Sequence, residues 1–269
     1  ITIINKCKTT SLKSKHYYSL YRKPFTNQIN LKGFVWSKAK PTKEWMTIHN
    51  PPLYLATVFK EILEDKNIRI TGEARVINKS DINIRIKQHK LVATTSSLRQ
   101  SITVANKRSQ GFYAEQILKT LGAIIKKEGT FSGGLAVISD FITKLGIQED
   151  HYHLDDGSGL SKKNKLTPEM FTRLLRYMYK HKNAGIFLKS LPIAGTDGTL
   201  KKRLKEEPYK SRIRAKTGYV NGTSTLSGYV KTVDEEIIAF SILVNKIKGG
   251  AWQAKRLQDI ICRSLVTYN

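Results

Sequence analysis

Lys216, Thr217 and Gly218 place an ammonium, a hydroxyl and a residue without a side chain in succession on a segment whose polar and apolar positions alternate. On the edge of a β-sheet, such a triplet can hold an extended peptide as an added strand. The ammonium and hydroxyl would meet a carboxylate, and glycine would leave room for close approach. Taken alone, the triplet reads more readily as a lysine on a solvated strand face.

Other residue groupings suggest other chemistry. His151 and His153 straddle Tyr152 as a metal pair would, but no third ligand stands at a useful spacing, so they are expected in a loop and no metal site is expected. Asp155 and Asp156 are adjacent, and neighbouring side chains on an extended loop diverge. Asp156-Gly157-Ser158-Gly159 is therefore expected to form a turn bracing the wall of a site, not a pair of acid and base carboxylates. Ser158 and Ser161 qualify as nucleophiles only if a base lies beside them in space.

The elements that would position these groups follow from periodicity. Residues 1 to about 76 carry short alternating runs such as Phe34-Val35-Trp36 and Ile68-Arg69-Ile70, with one helix entered through Asn50-Pro51-Pro52. From about residue 84 the period lengthens, and amphipathic helices are expected over Ser97 to Asn106, Phe112 to Lys127 and Gly134 to Leu145. Glu128-Gly129 and Ser132-Gly133-Gly134 are expected to separate them. A further helix begins at Thr167-Pro168-Glu169. Strands then follow at Arg212 to Lys216, Thr225 to Val230 and Ile237 to Val244, with Asn221-Gly222 as a hairpin signal between the first two. Ala251 through Val266 closes the chain as an amphipathic helix.

Four segments occur in a telling order: Asn106-Lys107-Arg108-Ser109-Gln110-Gly111-Phe112-Tyr113-Ala114-Glu115-Gln116, Asp156-Gly157-Ser158-Gly159-Leu160-Ser161, Leu191-Pro192-Ile193-Ala194-Gly195-Thr196-Asp197-Gly198-Thr199-Leu200, and Ala215-Lys216-Thr217-Gly218. Together they resemble the signatures of serine D-Ala-D-Ala carboxypeptidases and endopeptidases, the penicillin-binding proteins of low-molecular-mass class C. The resemblance runs from about residue 28 to the C-terminus and becomes specific after Ser109.

It implies an α+β fold, a penicillin-binding transpeptidase or β-lactamase-like domain with an antiparallel sheet flanked by helices over residues 78–269, and the end of an inserted accessory domain over residues 1–77. It further implies that Ser109 relays a proton to the leaving amine, that Lys216 polarises Ser109 and attracts the substrate's terminal carboxylate, and that Thr217 bonds that carboxylate. The backbone N–H of Tyr219, just after Gly218, would serve as an oxyanion donor. The substrates implied are peptidoglycan stem peptides, with β-lactams as ligands of the intact protein in a periplasmic or extracytoplasmic setting and no cofactor.

Two departures accompany the resemblance. Gly111 stands where the family carries asparagine, so the amide that would meet the substrate carbonyl is lacking. The family's nucleophile motif, serine-any-any-lysine, belongs ahead of the inserted domain. Its literal match here, Ser37-Lys38-Ala39-Lys40, lies within the expected insert and precedes no long helix. The chain is accordingly expected to be a C-terminal portion without its nucleophile, inactive alone. Its opening Ile1-Thr2-Ile3-Ile4, read as the middle of a strand, fits that expectation.

Bulk composition bounds the rest. Hydrophobic residues make up 40% of 269, enough for a substantial core. Lysine and arginine outnumber acids 47 to 21, a formal charge of +26 spread over every segment without a zinc knuckle or RNP-type aromatic pattern. No specific nucleic-acid partner is expected, whereas attraction to an anionic polymer or membrane surface stays open. Cys7 and Cys262 stand too far apart in sequence to suggest a local redox pair. No stretch approaches the roughly 20 apolar residues of a membrane span, and the N-terminus carries no apolar signal core.

Overall fold

The computed structural model describes residues 1–77 and 94–268. The chain divides into two compact units, Ile1–Leu91 and Val92–Asn269. The domain boundary expected after residue 77 meets the stretch outside the described residues.

In the first unit, β1 (Thr2–Thr10), β2 (Tyr17–Arg22) and β3 (Gln28–Trp36) form one sheet in the order β1-β3-β2. Strand β3 pairs parallel with β1 and antiparallel with β2. Helix α1 (Pro51–Asp65) starts where Asn50 accepts from the Leu53 N–H at 3.3 Å, and its two prolines occupy positions whose missing N–H groups cost nothing. The strand expected at Ile68-Arg69-Ile70 does not form: these residues have no ladder partner among the described residues, and alternation without a neighbouring strand does not make a sheet.

The second unit opens with α2 (Leu98–Arg108), capped by Ser97, then α3 (Gly111–Leu121) and α4 (Phe131–Lys144). The single helix expected from Phe112 to Lys127 forms, its last turn wound as a π-turn at Gly122–Lys126. Ser132-Gly133-Gly134 does not separate helices as expected but lies inside α4, because Thr130 takes the cap and accepts from the Gly133 N–H at 3.0 Å. The glycines serve packing instead. A Cβ on Gly134 would overlap the Leu118 carbonyl of α3, so the two helices can approach only with a bare backbone there.

Helices α5 (Pro168–Lys180) and α6 (Ala184–Ser190) precede a sheet of β4 (Ile213–Val220), β5 (Thr223–Lys231) and β6 (Ile237–Val244), all antiparallel, and α7 (Trp252–Val266) ends the unit. Asn221-Gly222 makes the β4–β5 turn, with Gly222 at φ 86°. On one sheet face Ile213, Ala215, Leu226, Val230 and Phe240 form a core with Cys262 and Val266 of α7. On the other, Tyr229 packs with Leu175 of α5 and Phe187 of α6. Cys262 is a buried thiol whose pKa burial pushes up to about 12, which leaves it unreactive. Among the described residues, no helix is long and apolar enough to cross a membrane.

Candidate active site

The residues singled out near Ser109 converge through the end of α2. Asn106 Nδ2 donates to the Ser190 hydroxyl at 2.8 Å, and Lys107 Nζ donates to the Leu191 carbonyl at 2.9 Å. Lys107 Nζ also meets Asp197 Oδ2 at 2.5 Å, placing a cation on the last turn, where the helix dipole favours it. So fixed, the chain leaves α2 at Ser109 with φ 51°, a left-handed conformation that costs a residue with a Cβ about 1–2 kcal/mol. Ser109 is exposed, and its hydroxyl accepts from Lys216 Nζ, 107 positions away.

Lys216 sits mid-way along β4, not at its end. Its ammonium also donates to the Thr217 carbonyl at 2.6 Å, and burial pushes its pKa down to about 8. The open side of β4 follows from the ladder. The Ala215 N–H points away from β5, donating to the Pro192 carbonyl at 3.0 Å. Alternation in an antiparallel pair then turns the N–H groups of Thr217 and Tyr219 outward too. Pro192 and Ile193 cover the start of this edge, and beyond it Thr217 and Tyr219 have no neighbouring strand among the described residues. Thr217 Oγ1 donates to Thr199 Oγ1 at 2.8 Å, and the Tyr219 side chain is exposed.

Gly218 lies on β4 opposite Thr225 of β5. The space its side chain would take is filled by Thr225 Oγ1 on β5, so this glycine admits a neighbouring strand's hydroxyl. Gly111 begins α3, and a Cβ there would come within 3.0 Å of Ser158 Cβ. The loop carrying Asp156 thus lies against Gly111.

That loop is built around one carboxylate. Asp156 accepts from the N–H groups of Gly159 (2.8 Å), Leu160 (3.0 Å) and Ser161 (2.8 Å), from the Ser158 hydroxyl (3.0 Å) and from Asn164 Nδ2 (2.7 Å). Burial pushes the Asp156 carboxyl up, but the bonds from Asn164, Ser161, Ser158 and Gly159 outweigh it and hold the group below its ordinary value. Ser161 donates to Asp155 Oδ2 at 2.5 Å, so both serines considered as nucleophiles bond to carboxylates within the turn. Of the histidines, His153 pairs through its backbone with Lys165, and His151 lies on the short turn Glu149–His151 beside Asp150, at 3.8 Å. Ser37 follows β3 on a turn, its N–H donating to the Thr10 carbonyl at 2.9 Å, and no helix begins there.

Three structural partners had no assigned part in the sequence reading, although each lies inside a quoted segment. Glu115 accepts from the Gly157 N–H at 3.1 Å and the Ser158 N–H at 3.0 Å, clipping the Asp156 loop to α3. Asp197 anchors Lys107 and also accepts from the Ile193 N–H at 2.9 Å. Thr199 meets Thr217. Periodicity does not reveal such contacts, since each joins segments distant in sequence.

A three-stranded antiparallel sheet between α7 and the helices α5 and α6, with serine and lysine meeting beside an open strand edge, defines an α+β protein of the penicillin-binding and β-lactamase-like class. The TLA-3 extended-spectrum β-lactamase shares the fold with a TM-score of 0.53 at 18% identity, over 80% of this chain and 81% of that one. The chain belongs to the D-Ala-D-Ala carboxypeptidase 3 (S13) family, whose pattern matches residues 1–263. It is 29% identical to the D-alanyl-D-alanine carboxypeptidase of Actinomadura sp. (strain R39), over 98% of this chain and 49% of that protein. To D-alanyl-D-alanine carboxypeptidase DacB of Haemophilus influenzae it is 25% identical, over 85% of this chain and 48% of that protein. The crystal structure of penicillin binding protein 4 (dacB) from Haemophilus influenzae matches with a TM-score of 0.80 at 22% identity, over 100% of this chain and 61% of that one. The chain therefore spans about half the length of these two curated relatives.

Proposed function

We propose that residues 94–268 form the acid-relay and carboxylate-binding side of a serine-type D-Ala-D-Ala carboxypeptidase or endopeptidase acting on peptidoglycan stem peptides. The observation that carries this reading is the bond between Lys216 and Ser109 beside the open edge of β4. A stem peptide adds along that edge, its terminal carboxylate meets Lys216 and Thr217, and its carbonyl oxygen turns toward the Tyr219 N–H. Ser109 passes a proton to the departing D-alanine amine, and Lys216 supplies the charge that makes the hydroxyl a better donor.

The acyl-enzyme forms on the serine of a serine-any-any-lysine motif, whose literal match here, Ser37-Lys38-Ala39-Lys40, starts no helix, so this chain alone does not turn over a D-Ala-D-Ala peptide. β-Lactams are ligands of the intact protein, which works outside the cytoplasm. Its accessory part lies in residues 1–77, and the surplus of lysine and arginine favours the anionic polymers of that setting. Gly111 supports a second reading, a noncatalytic relative that holds peptidoglycan or a partner without cleaving it, because it removes the amide that would orient the scissile carbonyl.

The test joins this chain to an upstream segment bearing serine-any-any-lysine and compares Gly111 with Gly111→Asn on a D-Ala-D-Ala peptide. Release of D-alanine, with at least a tenfold gain on Gly111→Asn, equivalent to about 1.4 kcal/mol, is expected. Binding without release in both proteins would favour the noncatalytic reading.

A further inference from the structure

We propose that Ser109 and Lys216 form a serine–lysine dyad in their own right, with Ser109 a nucleophile toward activated acyl and phosphonyl donors. This goes beyond the relay role, in which another serine is attacked or attacks and Ser109 only moves a proton.

The geometry meets the requirements of such a dyad. Ser109 stands on a left-handed turn at the end of α2, exposed to solvent, with its hydroxyl bonded to Lys216 Nζ. A nucleophilic hydroxyl needs a base at this distance, and an amine is a base only when neutral. The surroundings of Lys216 shift it toward the neutral form, which becomes the major one above about pH 8. Charged groups near the end of α2 and on β4 include Lys107, Arg108, Asp197, which bonds to Lys107, and Arg214 two residues earlier on the same strand. Asp197 is the acid among these, and it is paired with Lys107. Lys216 has no ion pair among the described residues; its bonds run to Ser109 Oγ and the Thr217 carbonyl, and burial brings it down to about 8. The outward N–H groups of Thr217 and Tyr219 lie along the same strand edge, as donors for an oxyanion.

The step balances without a cofactor. The Ser109 oxygen bonds to the carbonyl carbon or phosphorus of the donor, its proton passes to Lys216 Nζ, and the bond to the leaving alkoxide, thiolate or fluoride breaks. Lys216 then returns the proton to the leaving group or to solvent. The product is one acyl or phosphonyl group on Ser109 per chain.

The experiment treats the 269-residue chain with a fluorophosphonate probe and follows intact mass and peptide maps. One adduct on Ser109 is expected, formed about a hundredfold faster than on the chain unfolded in urea. Its rate should rise with pH about a midpoint near 8. Ser109→Ala should abolish it. Lys216→Arg, which keeps the positive charge but is not a base at this pH, should slow it about a hundredfold in a chain with an unchanged melting transition. Lys162→Met, on an exposed loop, should leave the rate unchanged. No adduct, an adduct on another serine, or a folded Lys216→Arg chain reacting at the parent rate would overturn the dyad.

Discussion

Lys107 Nζ lies 2.5 Å from Asp197 Oδ2, two residues before the left-handed turn at Ser109. The pair joins the end of α2 to the segment that covers the start of β4, and so sets where the Ser109 hydroxyl stands relative to Lys216. Its side chains are partly exposed, at 18% and 37%, which places the coupling at about 1 kcal/mol. A double-mutant cycle of Lys107→Met and Asp197→Asn by urea denaturation should return that value. The single variants should also weaken the Ser109 contact, read as a change in Ser109 reactivity larger than the stability loss explains. Strict additivity of the two changes would show that the pair positions nothing.

Lys216 makes stability depend on pH in a predictable sense. Its pKa is about 8 in the folded chain against 10.5 as the ordinary value, so between these the unfolded chain binds more protons. Stability from this group therefore rises with pH across that window, and below about 8 its burial is a standing cost. The difference in unfolding free energy between parent and Lys216→Met should favour the variant near neutrality and shrink as the pH passes from about 8 to 10.5. A difference independent of pH would place Lys216 in a more solvated setting.

Asp156 gives the opposite dependence. Its folded pKa lies below the ordinary 3.8, so its stabilisation is present above that value and is lost as the pH falls through the folded pKa. Asp156→Asn should cost about 2 kcal/mol at neutral pH, since an amide cannot accept all five bonds the carboxylate takes. The loss should vanish in acid. Chemical denaturation at several pH values checks both.

Gly111 and Ser158 should be energetically coupled. A side chain at Gly111 meets Ser158 Cβ at 3.0 Å, a contact relieved only if the Asp156 loop shifts by a few tenths of an ångström. Gly111→Ala alone should cost about 1 kcal/mol, and in a Ser158→Gly background that cost should fall by half or more. Equal costs in both backgrounds would mean that the loop yields freely.

The residue order alone carried the class of protein and the local elements. The period of two from Arg212 to Val244 found the three strands, and Asn221-Gly222 found their turn, because alternation and positive φ are properties of adjacent residues. The motif segments at Ser109, Asp156 and Lys216 were legible because their side-chain types sit at short, ordered spacings. The same local reading took Ser132-Gly133-Gly134 for a break and Ile68-Arg69-Ile70 for a strand, since neither the cap at Thr130 nor the absence of a partner strand among the described residues is written in those letters.

Tertiary structure decided the rest. It brought Ser109 to Lys216 across 107 positions, gave the space at Gly218 to Thr225, and made Glu115 and Asp197 the clamps of two loops. Each is a contact between chain segments whose meeting depends on how helices pack and strands register, and that packing is set by the whole buried surface and not by any run of neighbouring residues.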